Sequence, residues 1–311
     1  MNIKKTINDE FPYLVHQTTQ LVGESAMPLK AKSVEETLKH LEELNLPDQC
    51  YLVMDYKKGK ITWSHGFNSC LGYTEKFTSE AFFPNKVHPF IQDWFSMFGY
   101  VFYKHFKDLL EEHFFINFRY VIDLPVRRAD GIYVCVRKTN MTLEIDEKGF
   151  IRSSISHFII IGDYKGQSLH TRVFKGNERW YALEAAIQSF AADYADIKPE
   201  HEFTEDEFSV LKKCYEICQE QSRGSIIKDE FNLSPQTRDR MLLIIKNKII
   251  GILNLDMKLY VNASSHETAC LPIFKDTYDA AKFFKESWIL DILDYRYQKN
   301  PSFFAKKRTK L

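Results

Sequence analysis

Residues Phe118–Thr139 read FRYVIDLPVRRADGIYVCVRKT, two runs rich in β-branched and aromatic residues on either side of a polar turn. Asp130 and Gly131 are residue types that accept the backbone conformations of tight turns. The stretch therefore predicts a β-hairpin. A third run, FIRSSISHFIII at 150–161, follows the turn residues DEKG. Three antiparallel strands are expected in succession.

A second hairpin is predicted upstream, where YLVMDY (51–56) and ITWSH (61–65) flank KKGK. Between the hairpins, residues 67–110 have helical character, in two short segments, FNSCLGY and TSEAFF, and a longer one from Ile91 to Leu110. Apolar residues at helical spacing predict a helical cap within residues 1–46 (Val34, Leu38, Leu41 and Leu44). The order predicts an α+β unit with a five-stranded antiparallel sheet and helices on one face.

Residues 47–164 resemble a PAS sensor domain. The resemblance is carried by YLVMDYKKGKITWSHGFNSCLGYT, by KVHPF and by the opening hairpin, in this order. It implies a cavity between sheet and helices. Side chains of a strand alternate between its two faces, and this alternation gives six candidates to line the cavity: Phe118, Tyr120, Val134, Val136, His157 and Ile159.

The content of such a cavity stays open, and the cofactor is unknown. Cys70 lacks the motif of flavin-binding PAS domains, and haem binding through a histidine is a minor alternative. Side chains filling the cavity would make the unit a dimerisation or protein-interaction module.

Residues 165–200 are predicted as a linker and a connecting helix. The stretch KGQSLHTRVFKGN (165–177) is polar, and an apolar heptad-like pattern follows (Trp180, Leu183, Ile187, Phe190 and Tyr194). Two interpretations remain: a signalling helix that dimerises, and an amphipathic helix lying on its own domain.

Residues 201–311 are predicted as an all-α helix-turn-helix region with a helical extension. Thr204-x-x-Glu207 has the spacing of a capping box before an apolar helix face. Ile226–Met241, IIKDEFNLSPQTRDRM, predicts a short helix, a turn at Asn232-Leu233 and a third helix capped by Ser234. A final helix is predicted over residues 278–295, whereas 251–273 fit either a hairpin or a loop.

Three consecutive stretches resemble a LuxR-type helix-turn-helix. They are FTEDEFSVLKKCYEI for the first helix, IIKDEFNLS for the second helix and turn, and SPQTRDRMLLIIKNKI for the recognition helix. The resemblance implies binding to double-stranded DNA, with Gln and Arg suited to base edges and Lys to phosphates. Residues 234–248 carry four cations and one anion, a net charge of +3. Four to five phosphate contacts predict a log–log salt slope of about −4 per subunit. The candidate contacts are Arg223, Gln236, Thr237, Arg238, Arg240, Lys246 and Lys248, with Ile244, Ile245, Ile249 and Ile250 in the core.

The whole chain has no basic excess, because 42 Lys and Arg balance 42 Asp and Glu among 311 residues. Motifs for nucleophilic, metal-dependent or nucleotide-dependent catalysis are absent from the sequence, so we expect neither an enzyme nor a metal site. The six cysteines have no disulfide-scaffold or zinc spacing. Without a leader or a long apolar run, we expect a cytoplasmic protein that does not contact membranes.

Together these patterns predict a bacterial one-component transcriptional regulator, a homodimer in which a small-molecule or protein signal at the PAS unit alters DNA binding. The alternative is a signalling adaptor with the same PAS fold that binds protein partners and not DNA. Neutralisation of the basic surface by neighbouring carboxylates would favour the adaptor.

Overall fold

The computed structural model describes residues 27–28, 34–44, 46–74, 86–109, 118–166, 169–195, 197–220, 222–253 and 274–305. The chain divides into two compact units. The first comprises the described residues up to Tyr164 together with His170–Phe190, and the second comprises 165–169 together with the described residues from Ala191 onward. The predicted segment TSEAFF and most of the N-terminal cap lie outside the described residues, as do 254–273.

An antiparallel sheet forms the first unit. Its strands are β1 (Met27–Pro28), β2 (Gln49–Asp55), β3 (Lys60–His65), β4 (Phe118–Arg127), β5 (Tyr133–Ile145), β6 (Ile151–Asp163), β7 (Thr171–Lys175) and β8 (Glu178–Arg179). Seven strands are paired in the order β3-β2-β6-β5-β4-β7-β8, and the short β1 pairs with β5. The fold class is α+β, as predicted, and the five predicted strands are all present.

Helices lie on both faces of this sheet, which corrects the prediction of helices on one face. The helices of the first unit are α1 (Val34–Leu44), α2 (Phe67–Leu71), α3 (Pro89–Leu109) and α4 (Tyr181–Ala191). Leu38 and Leu41 of α1 pack against a cluster centred on Tyr51 and Ile155. On the opposite face, the rings of Phe67 in α2 and Phe102 in α3 contact strand residues Phe158 and Tyr120. We call this second face the inner face.

The predicted linker is wrong at residues 171–179, because β7 and β8 extend the sheet there. β7 pairs with β4, and Thr171 and Val173 are buried. The buried carboxylate of Glu184 in α4 accepts a hydrogen bond from the Val173 amide at 2.8 Å and is paired with Arg179. A Gly-Asn pair between the two strands was the missed hairpin signal, with Gly176 at φ 61°.

Helix α4 uses its predicted heptad face within the monomer. Leu183 and Ile187 are buried, and the ring of Phe190 stacks on His105 of α3 with centroids 4.0 Å apart. The amphipathic interpretation therefore accounts for this face, and these side chains are not available for a coiled coil.

The second unit contains helices α5 (Glu205–Glu216), α6 (Arg223–Glu230), α7 (Pro235–Ile252), α8 (Thr277–Glu286) and α9 (Ile289–Lys299), with 3₁₀ turns at Pro199–His201 and Pro301–Phe303. The prediction of one final helix is wrong, because Trp288 adopts φ 66° and separates α8 from α9. Its side chain is buried, so core packing holds a conformation that bulky residues otherwise avoid. None of the described helices is long and apolar enough to cross a membrane.

Candidate functional site

The turn between α6 and α7 is built as the sequence predicted. Asn232 adopts a left-handed conformation with φ 49°. The Leu233 amide donates to the Lys228 carbonyl at 2.9 Å, and the Asn232 amide donates to that of Asp229 at 3.4 Å. These two bonds form a Schellman motif, which ends α6 and turns the chain sharply.

Helix α7 begins at the predicted residue. The Ser234 hydroxyl accepts a hydrogen bond from the Thr237 amide at 3.2 Å, and Pro235 occupies the first helical position. The cap satisfies one of the amides that a helix start leaves without an internal acceptor. Pro235 has no N–H, and the Arg238 amide donates to the Ser234 carbonyl at 2.9 Å. In this first turn the Gln236 amide is therefore left without an acceptor among the described residues, at the positive end of the helix dipole.

Helix α5 supplies the predicted scaffold in front of this turn. Its start is a complete capping box, in which Thr204 and Glu207 each accept a hydrogen bond from the other's backbone amide. Phe208, Leu211 and Cys214 are buried on one face. Cys214 is therefore a core residue, and burial raises its thiol pKa to about 12.

Arg238 is one of three predicted DNA contacts whose charges are used inside the unit. Its guanidinium pairs with the Asp239 carboxylate at 2.6 Å and donates to the Gly224 carbonyl at 3.3 Å. The side chain thus ties α7 to α6, and its charge is compensated by its sequence neighbour.

Arg223 and Lys248 are also paired with carboxylates. Arg223 lies 3.4 Å from Asp276 and over the Tyr278 ring, 4.5 Å from its centroid. Lys248 is largely buried and donates to the Glu207 carboxylate and, at 2.7 Å, to the Glu202 carbonyl. This ammonium joins α7 to the start of α5, so its charge is already compensated within the unit.

The remaining candidates lie along the exposed side of α7. Gln236, Thr237 and Arg240 are exposed. Neither the Gln236 side chain nor the Arg240 side chain forms a hydrogen bond or ion pair in the described part of the chain, whereas the Thr237 hydroxyl lies 2.9 Å from that of Ser234. Within the described residues, the one polar contact of the Lys246 side chain is to the Lys275 carbonyl at 3.4 Å.

An apolar patch follows these polar residues on α7. Leu243 is 58% exposed and Ile244 is 36% exposed, whereas Ile245, Ile249 and Ile250 are buried. The prediction that Ile244 belongs to the core is therefore wrong. Its side chain lies one helical turn beyond Arg240 and adjoins the candidate surface.

The predicted cavity residues do not share one face of the sheet. Strand pairing places Tyr120, Val134 and Val136 on the inner face. His157 and Ile159 lie on the opposite face, where the His157 ring stacks on Tyr51 at 4.5 Å and its Nε2 contacts Gln49 at 2.7 Å. Burial lowers the pKa of His157. Phe118 is in β4, but its side chain is outside the description.

A buried polar cluster on the inner face was missed by the sequence interpretation. Lys138 is 8% exposed and donates through Nζ to Asn140 Oδ1 at 2.7 Å. The same oxygen accepts a hydrogen bond from the Ser156 hydroxyl at 2.5 Å. Burial lowers the Lys138 pKa to about 7. Extending the alternation from Val134 and Val136 to residue 138 would have placed this lysine inside.

No group of three or more His, Cys, Asp or Glu residues in the described part of the chain is arranged to hold a metal ion. The five described cysteines are free thiols.

No protein-family model matches the chain, and no curated protein matches it significantly. Among solved structures, the chain has a weak likeness to the crystal structure of the phage VqmA–DPO complex, at 12% sequence identity and a TM-score of 0.24. The match covers 76% of this chain and 93% of that one. A likeness at this level supports no assignment of fold or function.

Proposed function

We propose that the protein is a signal-responsive regulator, not an enzyme, whose second unit binds double-stranded DNA through the N-terminal turns of α7. The observation that carries the proposal is the left-handed Asn232 turn, which leads into a capped helix with Gln236, Thr237 and Arg240 exposed. Helix, turn and exposed polar helix start are the parts that a helix-turn-helix protein uses to enter the major groove.

The chemistry of these side chains suits base recognition. Gln236 and Arg240 are four residues apart and therefore neighbours on one helix face. Glutamine can bond adenine through two atoms, and arginine can do the same with guanine. The Gln236 amide and the helix dipole at the start of α7 favour a phosphate there.

The electrostatic contribution is expected to be small. Carboxylates compensate Arg223, Arg238 and Lys248, which leaves Arg240, Lys246 and the exposed Lys228 for phosphates or bases. Two to three phosphate contacts correspond to a log–log salt slope of about −2 to −3 per subunit. This replaces the steeper slope of about −4 expected from the sequence.

Support for a PAS-like sensor in the first unit comes from its chain order, a hairpin followed by helices and three strands, and from the polar cluster on the inner face. A homodimer fits the proposal, because paired recognition helices read half-sites about 34 Å apart. The dimer surface would have to lie outside the buried face of α4.

The test is a random-sequence duplex selection on the full chain, followed by salt titration of any enriched duplex. Arg240→Ala should weaken binding and relax preference at one base pair by about 1 to 3 kcal/mol. Lys282→Ala, at a half-buried position on α8 with a side chain 45% exposed, is the matched control and should bind as the unaltered chain does. Failure to enrich any duplex at low salt would refute DNA binding.

A second candidate, the signalling adaptor, is favoured by the paired cations and by the exposed Leu243 and Ile244. In that case α7 would dock a protein partner through its apolar patch. Leu243→Asp would then abolish partner binding, whereas Arg240→Ala would leave it intact. If α7 instead recognises DNA through its start, Arg240→Ala should weaken duplex binding more than Leu243→Asp does.

A further inference from the structure

Lys138 carries an ammonium group into the interior of the first unit. Its strand partners on the inner face are Ile122 of β4 and Phe158 of β6, both fully buried. The ring of Phe95 in α3 covers it, with Nζ 5.7 Å from the centroid. Lysine is among the residue types least often buried without a partner, so its place here calls for a counter-charge.

The described residues supply no such counter-charge. Lys138 forms no ion pair with any carboxylate in the part of the chain that the structure describes. Asp123 in β4 pairs with Arg137 instead, at 2.7 Å, and both have the strand parity of the opposite face. Among the described residues, the one hydrogen-bond partner of the ammonium is the neutral amide oxygen of Asn140.

Lys138 and Asn140, which are joined by a hydrogen bond, keep N–H donors that no described residue accepts. An ammonium has three N–H groups, of which Asn140 takes one. Because lysine can only donate, the amide oxygen must face it, and this oxygen accepts from Ser156 as well. The Asn140 amide nitrogen therefore adds two further donors beside the cation. Donors around a buried positive charge, with apolar rings next to them, are what an acidic group on an apolar molecule requires.

We propose that Lys138 and Asn140 bind the acidic group of a small apolar carboxylic acid, with Phe95, Ile122 and Phe158 against its hydrocarbon or aromatic part. The inference rests on the proposed sensing role of the first unit and names the chemical class of its signal. It is independent of whether the second unit binds DNA.

A bound carboxylate would also change the protonation of the site. Burial lowers the Lys138 pKa to about 7, so part of the free protein carries a neutral amine at neutral pH. Burial raises the pKa of Tyr120 in β4 and of Cys50 in β2, two groups on described strands of this face, which keeps both uncharged. The described helices add Cys70 of α2, His105 of α3 and Glu184 of α4, the last of which is paired with Arg179. Binding of an anion should therefore be accompanied by uptake of a proton at Lys138 near pH 7.5.

The experiment is calorimetric titration of the full chain, without DNA, with two matched probe pairs: 3-phenylpropionate and its amide, and octanoate and its amide. At least one carboxylate should bind about tenfold or more tightly than its amide. The heat should vary with the ionisation enthalpy of the buffer, as proton uptake requires.

Two variants test the site itself. Lys138→Met removes the cation and keeps the side-chain volume, and Asn140→Asp, which has the same shape, adds an internal carboxylate that competes with the ligand. Each should weaken carboxylate binding by about tenfold or more, whereas Lys148→Met, in an exposed turn, should not. If Lys138→Met does not fold, Asn140→Asp decides alone.

The proposal is overturned if neither carboxylate binds at millimolar concentration, or if binding is unchanged in Asn140→Asp. If the chain binds carboxylates but enriches no duplex, the carboxylate site is supported and the proposed DNA-binding function is refuted. If the chain enriches a duplex but binds neither carboxylate, DNA binding is supported and the carboxylate site is refuted.

Discussion

Replacing Lys138 by methionine should make the first unit more stable, with a gain that depends on pH. The side chain is buried against apolar neighbours and has no carboxylate partner among the described residues. Methionine has a similar length and no charge, so it fills the space without the desolvation cost of an ammonium.

The magnitude follows from proton linkage. Burial lowers the Lys138 pKa from 10.5 to about 7. The unfolded chain therefore binds more protons than the folded chain between pH 7 and 10.5, and the stability of the unaltered protein rises with pH over that window. At about 1.4 kcal/mol per pH unit, the destabilisation is of the order of 5 kcal/mol at pH 6 and about 2 kcal/mol at pH 9.

The assay is urea unfolding of both proteins at pH 6, 7.5 and 9, with hydrogen exchange of the β5 amides to isolate the first unit. The advantage of Lys138→Met should be largest at pH 6 and should shrink by several kcal/mol toward pH 9. Lys148→Met, in an exposed turn, controls for the loss of a surface charge. A difference between Lys138→Met and the unaltered chain that is constant with pH, or a less stable variant at pH 6, would refute a buried and uncompensated Lys138.

Three further predictions concern the scaffold and are checked by chemical denaturation. Gly66→Ala should destabilise by about 2 kcal/mol or more, because φ is 81° and an added Cβ would lie 2.5 Å from the Gln49 carbonyl oxygen; Gly99→Ala, with open space around it, should not destabilise. Asn232→Val should cost about 1 to 2 kcal/mol at the left-handed turn, whereas Asn232→Gly should be close to neutral, and equal losses would contradict the Schellman geometry. Glu202→Gln should cost about 3 kcal/mol, because Arg296, 2.7 Å from the Glu202 carboxylate, would keep a buried charge without its partner; an unchanged midpoint would show that the pair is not structural.

Local sequence signals predicted the helix starts and the α6–α7 turn well. Ser234-Pro235 and Thr204-x-x-Glu207 act through hydrogen bonds within three residues, so their outcome does not depend on the rest of the fold. The same holds for Asn232, whose short polar side chain tolerates the left-handed region. The five predicted strands were found for a related reason, since their alternation and turn residues are local properties.

Features set by tertiary partners could not be predicted in this way. The pairing of Arg223 with Asp276 joins residues 53 positions apart, and that of Lys248 with Glu207 joins residues 41 apart. Lys248 contributed to the net charge of +3 counted over residues 234–248, so that count overestimated the unpaired positive charge of α7. The helix break at Trp288 has no neighbouring Gly or Pro from which it could be predicted. It arises from the packing of the buried Trp288 side chain.

The most direct test of the proposed function is the salt dependence of duplex binding by the full chain and by Arg240→Ala. We expect an enriched duplex whose log–log slope is about −2 to −3 per subunit, and a slope less steep by about 1 in the variant if Arg240 contacts a phosphate. If Arg240 contacts a base, the slope should stay the same and the preference at one base pair should be lost. Binding that is unchanged in the variant in both slope and sequence preference, or no binding at low salt, would contradict the proposed function.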